Sequence, residues 1–295
     1  MPDSQRIKRI TESIIGLPTL PTVVSKMIEL VDNPKTSAAS LAWLISTDQS
    51  LTARILKLAN SAYYGFSREI STVNMAIVVM GFNAVKDMGL SLSVFDMFKK
   101  SAPAGSFDIS RFWEHSIGCG IASRLLAQRY QHRIAGEAFV AGLLHDIGKV
   151  ILDQYAYEDF VKIMSLASSC AATLDEAEES VIGVGHATVG EWLAEKWRLP
   201  IIITQSIRYH HTPWDCGTDK IPVAIVNLAN YLCHISGIGH SGRNAPIAPD
   251  DRVWDIFNQA GIALEVTDLD SLQSEFLLEF DRNDTFLSFV SPEDE

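Results

Sequence analysis

The chain has 295 residues, 47% hydrophobic and 20% charged, a balance that excludes wholesale disorder and supplies a core for one large domain or two ordinary ones without staples. The formal net charge is −12, and segment 250–295 holds 13 acids against Arg252 and Arg282, a net of −11 that leaves −1 for the rest. A nearly neutral body with an acidic end lacks the basic face that nucleic-acid binding needs, and the acids equally read as a solvated face.

Helical periodicity runs through the chain. Val23, Val24, Met27, Leu30 and Val31 follow an i, i+3, i+4, i+7 pattern after Pro21 and stop near Asn33-Pro34. Residues 37–45 read as a second helix. Asp48 is placed as the N-cap of a third over 50–60, with Leu51, Ile55, Leu58 and Ala59 on one side. Two apolar helical runs follow at 73–80 and 83–98. The small, Pro/Gly-containing stretch 100–106 is the best boundary candidate. Beyond it, helices are predicted over 111–130, 137–154, 157–168, 174–181, 186–197, 201–209 and 222–235, then a loop over 237–248 and a further helical, acidic extension. No stretch alternates as a strand would, and no repeat of 20–50 residues is present. The expected fold is all-α, with an N-terminal helical lobe (1–100) packed on a second helical bundle (107–240) and an acidic extension (241–295). Trp43, Tyr63, Tyr64 and Phe66 form either an aromatic surface or, more plainly, core packing.

The four cysteines (119, 170, 216 and 233) include no CxxC pair, so neither a disulfide framework nor a thiolate zinc site is indicated, and a reducing compartment is expected. Arg6, Lys8 and Arg9 precede Gly16-Leu17-Pro18 and Pro21, which interrupt any signal-peptide core. The purest apolar stretches, 76–80 and 201–203, fall far below the roughly 18–20 residues of a membrane span. A soluble, cytoplasmic protein is expected.

The histidines carry the candidate chemistry. His145-Asp146 sits in an apolar helical run whose core face is Phe139, Leu143 and Val150, where a carboxylate is costly unless paired or metal-bound. Adjacent imidazole and carboxylate offer two metal ligands; Gly148 removes a side chain nearby, and Lys149 lies four residues after His145, on the same helical face, where its ammonium could meet a phosphate. The plainer alternative is a buried His-Asp hydrogen bond capping this helix. His115 lies early in its helix, His186 opens another, and His210-His211 end the 201–209 run before Pro213. Each alone is an ordinary core or capping histidine; together with Asp146 they form a set suited to zinc, iron, manganese or nickel.

The order His115, His145-Asp146-Ile147-Gly148-Lys149, His186-x3-Gly190-Glu191, His210-His211 and Leu228-Ala229-Asn230 resembles the HD superfamily of metal-dependent phosphohydrolases, most closely its HD-GYP branch. Leu17-Pro18-Thr19-Leu20-Pro21, the run from Ala42 to Thr52, and the run from Leu56 through Asn60-Ser61-Ala62 to Gly65 resemble the opening of HDOD domains, the HD-related output domains of bacterial signalling proteins; Ala76-Ile77 and Gly81 continue the pattern. The resemblance spans roughly 14–240. It implies an all-α fold with His115, His145 and Asp146 as primary metal ligands, His186, His210 and His211 as ligands of a second metal, and Lys149 contacting a scissile phosphate. Many HDOD domains have lost such residues; this chain keeps most. Asn230, however, stands at the position of the last HD aspartate, no Gly-Tyr-Pro follows His211, and Arg111 stands where a three-metal site would want a carboxylate. A three-metal dinucleotide phosphodiesterase is therefore not expected.

Two readings follow. The first is a non-catalytic regulatory module holding one or two divalent or transition ions (Fe, Mn, Zn or Ni) on His115, His145, Asp146, His186, His210, His211 and Asn230, with other signalling proteins as partners and a phosphate-containing or nucleotide ligand possible. The second is a metal-dependent phosphohydrolase or phosphodiesterase in which Asp146 orients water and Lys149 stabilises charge. Neither a nucleic-acid nor a membrane partner is expected.

Overall fold

The structure is a computed structural model and describes residues 19–31, 33–61, 64–98, 107–130, 134–169, 173–242, 246–283 and 287–288. Among these residues every regular element is helical and no strand occurs. The expected boundary at 100–106 lies outside the described residues, as do Tyr63 and the segment around Leu17-Pro18. The chain divides into two compact units, one drawn from Pro18–Lys99 and the other from Lys100–Leu278.

The smaller unit holds α1 (Thr22–Val31), α2 (Ala38–Ser46), α3 (Gln49–Ala59), α4 (Val73–Met80) and α5 (Phe82–Phe98). Its helix starts are written in local chemistry. Ser37 and Ser40 form a reciprocal capping box, the Asp48 carboxylate accepts from Leu51 N–H at 2.9 Å, and the Thr72 hydroxyl accepts from Met75 N–H. Val24, Met27, Leu41, Ile45, Ile55 and Leu58 fill its core. Trp43 does not join them. It is 72% exposed although Leu41, Ala42, Leu44 and Ile45 around it are buried, because its position on α2 faces away from the α4 contact. Core packing is thus corrected to surface for Trp43, and Phe66 is also exposed, stacked on Tyr64 at 6.4 Å.

The larger unit begins with α6 (Ile109–Tyr130) and α7 (Ala135–Leu144), which pack along each other. It continues through α8 (Ile147–Tyr155), α9 (Tyr157–Ser168), α10 (Leu174–Val181), α11 (His186–Lys196), α12 (Ile201–Tyr209) and α13 (Lys220–Ile235), and ends with α14 (Asp251–Gln259) and α15 (Leu269–Asp281). α13 lies against α6, and α11 packs on both α8 and α12. In the acidic segment, Val253, Trp254, Phe257, Leu272 and Phe276 turn inward while Asp251 and Asp255 stay exposed, and the Arg252 guanidinium lies 3.5 Å over the Trp214 ring. No described helix is long and apolar enough to cross a membrane.

One expectation needs correction. The run 137–154 is not a single helix: it breaks at His145-Asp146, with His145 closing α7 and Asp146 heading α8. Asp146 makes no side-chain cap hydrogen bond to its own helix. Its carboxylate points instead to side chains from α11 and α12, and that use outweighs a continuous helix.

Candidate metal centre

The break aims the centre. With Asp146 outside regular helix, its Oδ1 lies 3.1 Å from His186 Nε2 and 3.4 Å from His210 Nε2, and its Oδ2 lies 3.3 Å from His145 Nε2. His211 Nε2 approaches His186 Nε2 to 3.1 Å, and the Nε2 atoms of His186 and His210 are 3.4 Å apart. Asp146, His186, His210 and His211 therefore offer one atom each to a single point, all within 4.8 Å of one another. A tetrahedral ion with bonds of about 2.0–2.1 Å sets its donor atoms roughly 3.3 Å apart, close to these spacings.

The other ring nitrogens explain the orientation. His145 Nδ1 faces Gly142 O at 2.7 Å, His210 Nδ1 faces Ile207 O at 2.9 Å, and His186 Nδ1 faces the Glu178 carboxylate at 2.7 Å. Each partner can only accept, so each imidazole donates from Nδ1 and turns Nε2 inward, the tautomer that binds metal. His145 Nε2 and Asp146 Oδ1 are buried with no hydrogen-bond partner, as donors to a cation would be. The His186–Asp146 contact is short in distance but is not a formed hydrogen bond, because the proton needed for it is committed to Nδ1 when the ring is neutral. His210 and His211 are held in place by Asn227, whose side-chain amide donates to His210 O at 2.7 Å.

Burial and charge act together. His145, Asp146 and His210 have no exposed surface, and His186 and Lys149 are 1% exposed. Burial opposes the charge of Asp146, yet His145 and Lys149 outweigh it and hold its carboxyl well below the usual carboxylate range. Burial pushes His210 down to about 4, keeping it a neutral lone-pair donor. Burial likewise disfavours charge on His186, but Glu178 outweighs it and raises this group to about 9.

Lys149 is paired within the centre. Since the helix restarts at Asp146, Lys149 lies three residues beyond the carboxylate and pairs with Oδ2 at 2.6 Å. The expected placement on the His145 face is corrected accordingly. His115 Nε2 faces Asn230 Oδ1 at 3.1 Å, and His115, His145 and Asp146 also share a 4.8 Å neighbourhood. The Arg111 guanidinium donates to Gly239 O at 3.1 Å.

Sequence reasoning missed Glu178 and Asp175. Glu178 is fully buried and accepts both the backbone N–H and Nδ1–H of His186, while Asp175 Oδ1 lies 3.5 Å from His211 Nε2 at the rim. The signal was present: Leu174, Ala177 and Glu178 fall at i, i+3 and i+4, which puts an acid on the apolar face of α10. Glu178→Gln, with one oxygen for two donors and no charge, is expected to weaken zinc binding about 10–100-fold, measured by calorimetric titration; unchanged affinity would remove His186 from the centre.

A profile of the HDOD domain matches residues 17–213, more than half of the chain. An HDOD domain protein of unknown function from Geobacter sulfurreducens superposes with TM-score 0.77 at 28% identity, covering 94% of this chain and 97% of that one. A candidate phosphohydrolase from Shewanella amazonensis gives 0.74 at 22% identity, over 96% and 98%. A candidate signal transduction protein from Marinobacter aquaeolei gives 0.74 at 23%, over 96% of this chain and 62% of that one. A Treponema pallidum protein described as uncharacterized is 24% identical over 203 residues, 68% of this chain, which spans 39% of that relative's length. On the match that runs from residue 17 to residue 213, the chain belongs to the HDOD domain family.

Proposed function

We propose that this chain is a regulatory signalling module whose His/Asp cluster holds one or two divalent or transition ions (Fe, Mn, Zn or Ni) as a structural or sensing element, on His115, His145, Asp146, His186, His210, His211 and Asn230. The carrying observation is closure. The donors are buried apart from His211, which is part-exposed and lies 3.5 Å from the part-exposed Asp175 at the rim. A phosphodiester needs an open coordination position and a free cation beside it; here the Lys149 ammonium is consumed by Asp146. Asn230 adds a neutral donor where a carboxylate would attract an ion more strongly. The natural partners are other signalling proteins, with a phosphate-containing or nucleotide ligand reaching the His211–Asp175 rim.

The second reading, a phosphohydrolase, is favoured by the orphaned Asp146 Oδ1 and His145 Nε2. A bound ion would there lower the pKa of a water to near neutrality and polarise a phosphoryl oxygen. Fold likeness does not separate the readings, since one scaffold carries both kinds of protein.

Metal analysis of the purified chain, followed by hydrolysis of bis-p-nitrophenyl phosphate, decides between them. The module reading expects bound metal and no turnover. Asn230→Asp is expected to tighten metal binding by on the order of tenfold through the added charge, still without turnover. Multiple turnovers by the wild type, lost in Asp146→Asn, would overturn the module reading in favour of the enzyme.

A further inference from the structure

A lone apolar side chain on a protein surface is ordinary. The smaller unit shows something else. Among the described α-helices only α2 and α4 carry no charged residue, in a chain that is 20% charged overall. These two helices pack against each other. They also hold the two most exposed large hydrophobic side chains among the described residues, Trp43 at 72% and Val78 at 70%, with Val79 next in the chain at 47%. Water gives these residues no reason to be there. Valine on an exposed helix costs more than alanine, lysine or glutamate, because its branched Cβ loses rotamers against the preceding turn.

The rest of the face is prepared for cover. One turn to either side of Trp43, the outward residues of α2 are Ala39 and Ser40, then Ser46, with Thr47 closing the helix. The Ser40 hydroxyl donates to Ser37 O at 2.8 Å, the Ser46 hydroxyl to Ala42 O at 2.7 Å and the Thr47 hydroxyl to Leu44 O at 2.7 Å. Each proton is committed close by in the chain, so covering the face strands no donor.

We propose that the face of α2 and α4 is where a second copy of this chain docks, forming a weak twofold dimer. Charge selects the second copy. At a twofold axis each residue meets its own counterpart, so any charge there meets its like. With a net charge of −12 two copies repel one another, and a charge-free face is where they can approach. A partner chosen by ion pairs finds nothing to pair with here. Shape agrees: a large knob between small neighbours is self-complementary, Trp43 of each copy filling the hollow over the small residues of the other. A tryptophan carries about 250 Å², so Trp43 alone offers roughly 180 Å², against about 800 Å² per partner in a standard interface. Two short helices fall at the low end of that scale, and a dissociation constant on the order of 10–100 μM is expected. The dimer needs no ion in the Asp146 centre, so it stands or falls apart from the module reading.

Sedimentation of the full chain from about 1 μM to about 500 μM tests this. A reversible monomer–dimer equilibrium is expected, unchanged or tightened as salt rises from about 0.05 M to about 0.5 M, since screening removes repulsion and there are no ion pairs to lose. Trp43→Lys and Val78→Lys are each expected to weaken it at least about tenfold. Trp43→Ser should do the same without adding charge. Leu278→Lys, at an exposed apolar position on α15, is the control and should leave the dimer intact. All four positions are exposed, and an unchanged Tm verifies that each variant is folded. A chain that stays monomeric at every concentration would assign the face to a different protein and overturn the proposal. So would a dimer that survives the substitutions at Trp43 and Val78, or one that dissociates as salt rises.

Discussion

Asp146→Ala is expected to empty the His145/His186/His210/His211 centre and to lower stability by about 3–5 kcal/mol, because it strands the Lys149 ammonium without its partner. Lys149 is 1% exposed and its ion pair with Asp146 measures 2.6 Å. For a unit of this size such a loss lowers Tm by on the order of 10 °C. Stability and metal binding are separable. Asp146→Asn combined with Lys149→Met removes both charges and keeps the shapes, so it is expected to regain most of the lost Tm while still binding no metal at this centre. Thermal unfolding and metal analysis on the three proteins read the two effects independently. If the double variant bound metal as wild type does, Asp146 would be an ion-pair residue only; if Asp146→Ala unfolded at the wild-type temperature, the buried pair would contribute nothing.

Part of this arrangement was legible in the sequence. Periodicity placed α4, α9 and α12 because each is an amphipathic or apolar segment bounded by polar or Pro signals within its own residues. The break at His145-Asp146 was hidden, since the apolar period runs through it unaltered and the reason for the break lies on α11 and α12. Convergence of the histidines was implied by the family resemblance that their order carries, not by their spacing. The commitment of Lys149 to Asp146 was not, because a one-turn change of helix register decides whether the ammonium faces inward or toward a ligand. Trp43 was misplaced for a similar reason: its neighbours Leu41, Ala42, Leu44 and Ile45 are all apolar, and only the α2–α4 packing shows which side is outside. Glu178, by contrast, was readable from its place on the apolar face of α10 and went unread.

Gly148→Ala is expected to be the most damaging single-methyl change in the centre. α8 and α11 cross with backbone against backbone: a Cβ on Gly148 would overlap the His186 carbonyl and sit 2.9 Å from the Gly190 nitrogen, while a Cβ on Gly190 would meet Ile207 at 2.7 Å. Helix propensity alone favours alanine over glycine by about 1 kcal/mol. The atoms in the way belong to backbone and cannot rotate aside, so overpacking at about 1–3 kcal/mol or more decides the sign. The backbone that must move carries His186, so zinc affinity should fall together with Tm. Gly217→Ala, where a Cβ meets nothing within 4 Å, is the control and is expected to leave both unchanged. Thermal unfolding and zinc titration of the two variants make the comparison. A Gly148→Ala protein as stable as wild type, with undiminished zinc affinity, would show that the close crossing of α8 and α11 is not what presents His186 to Asp146.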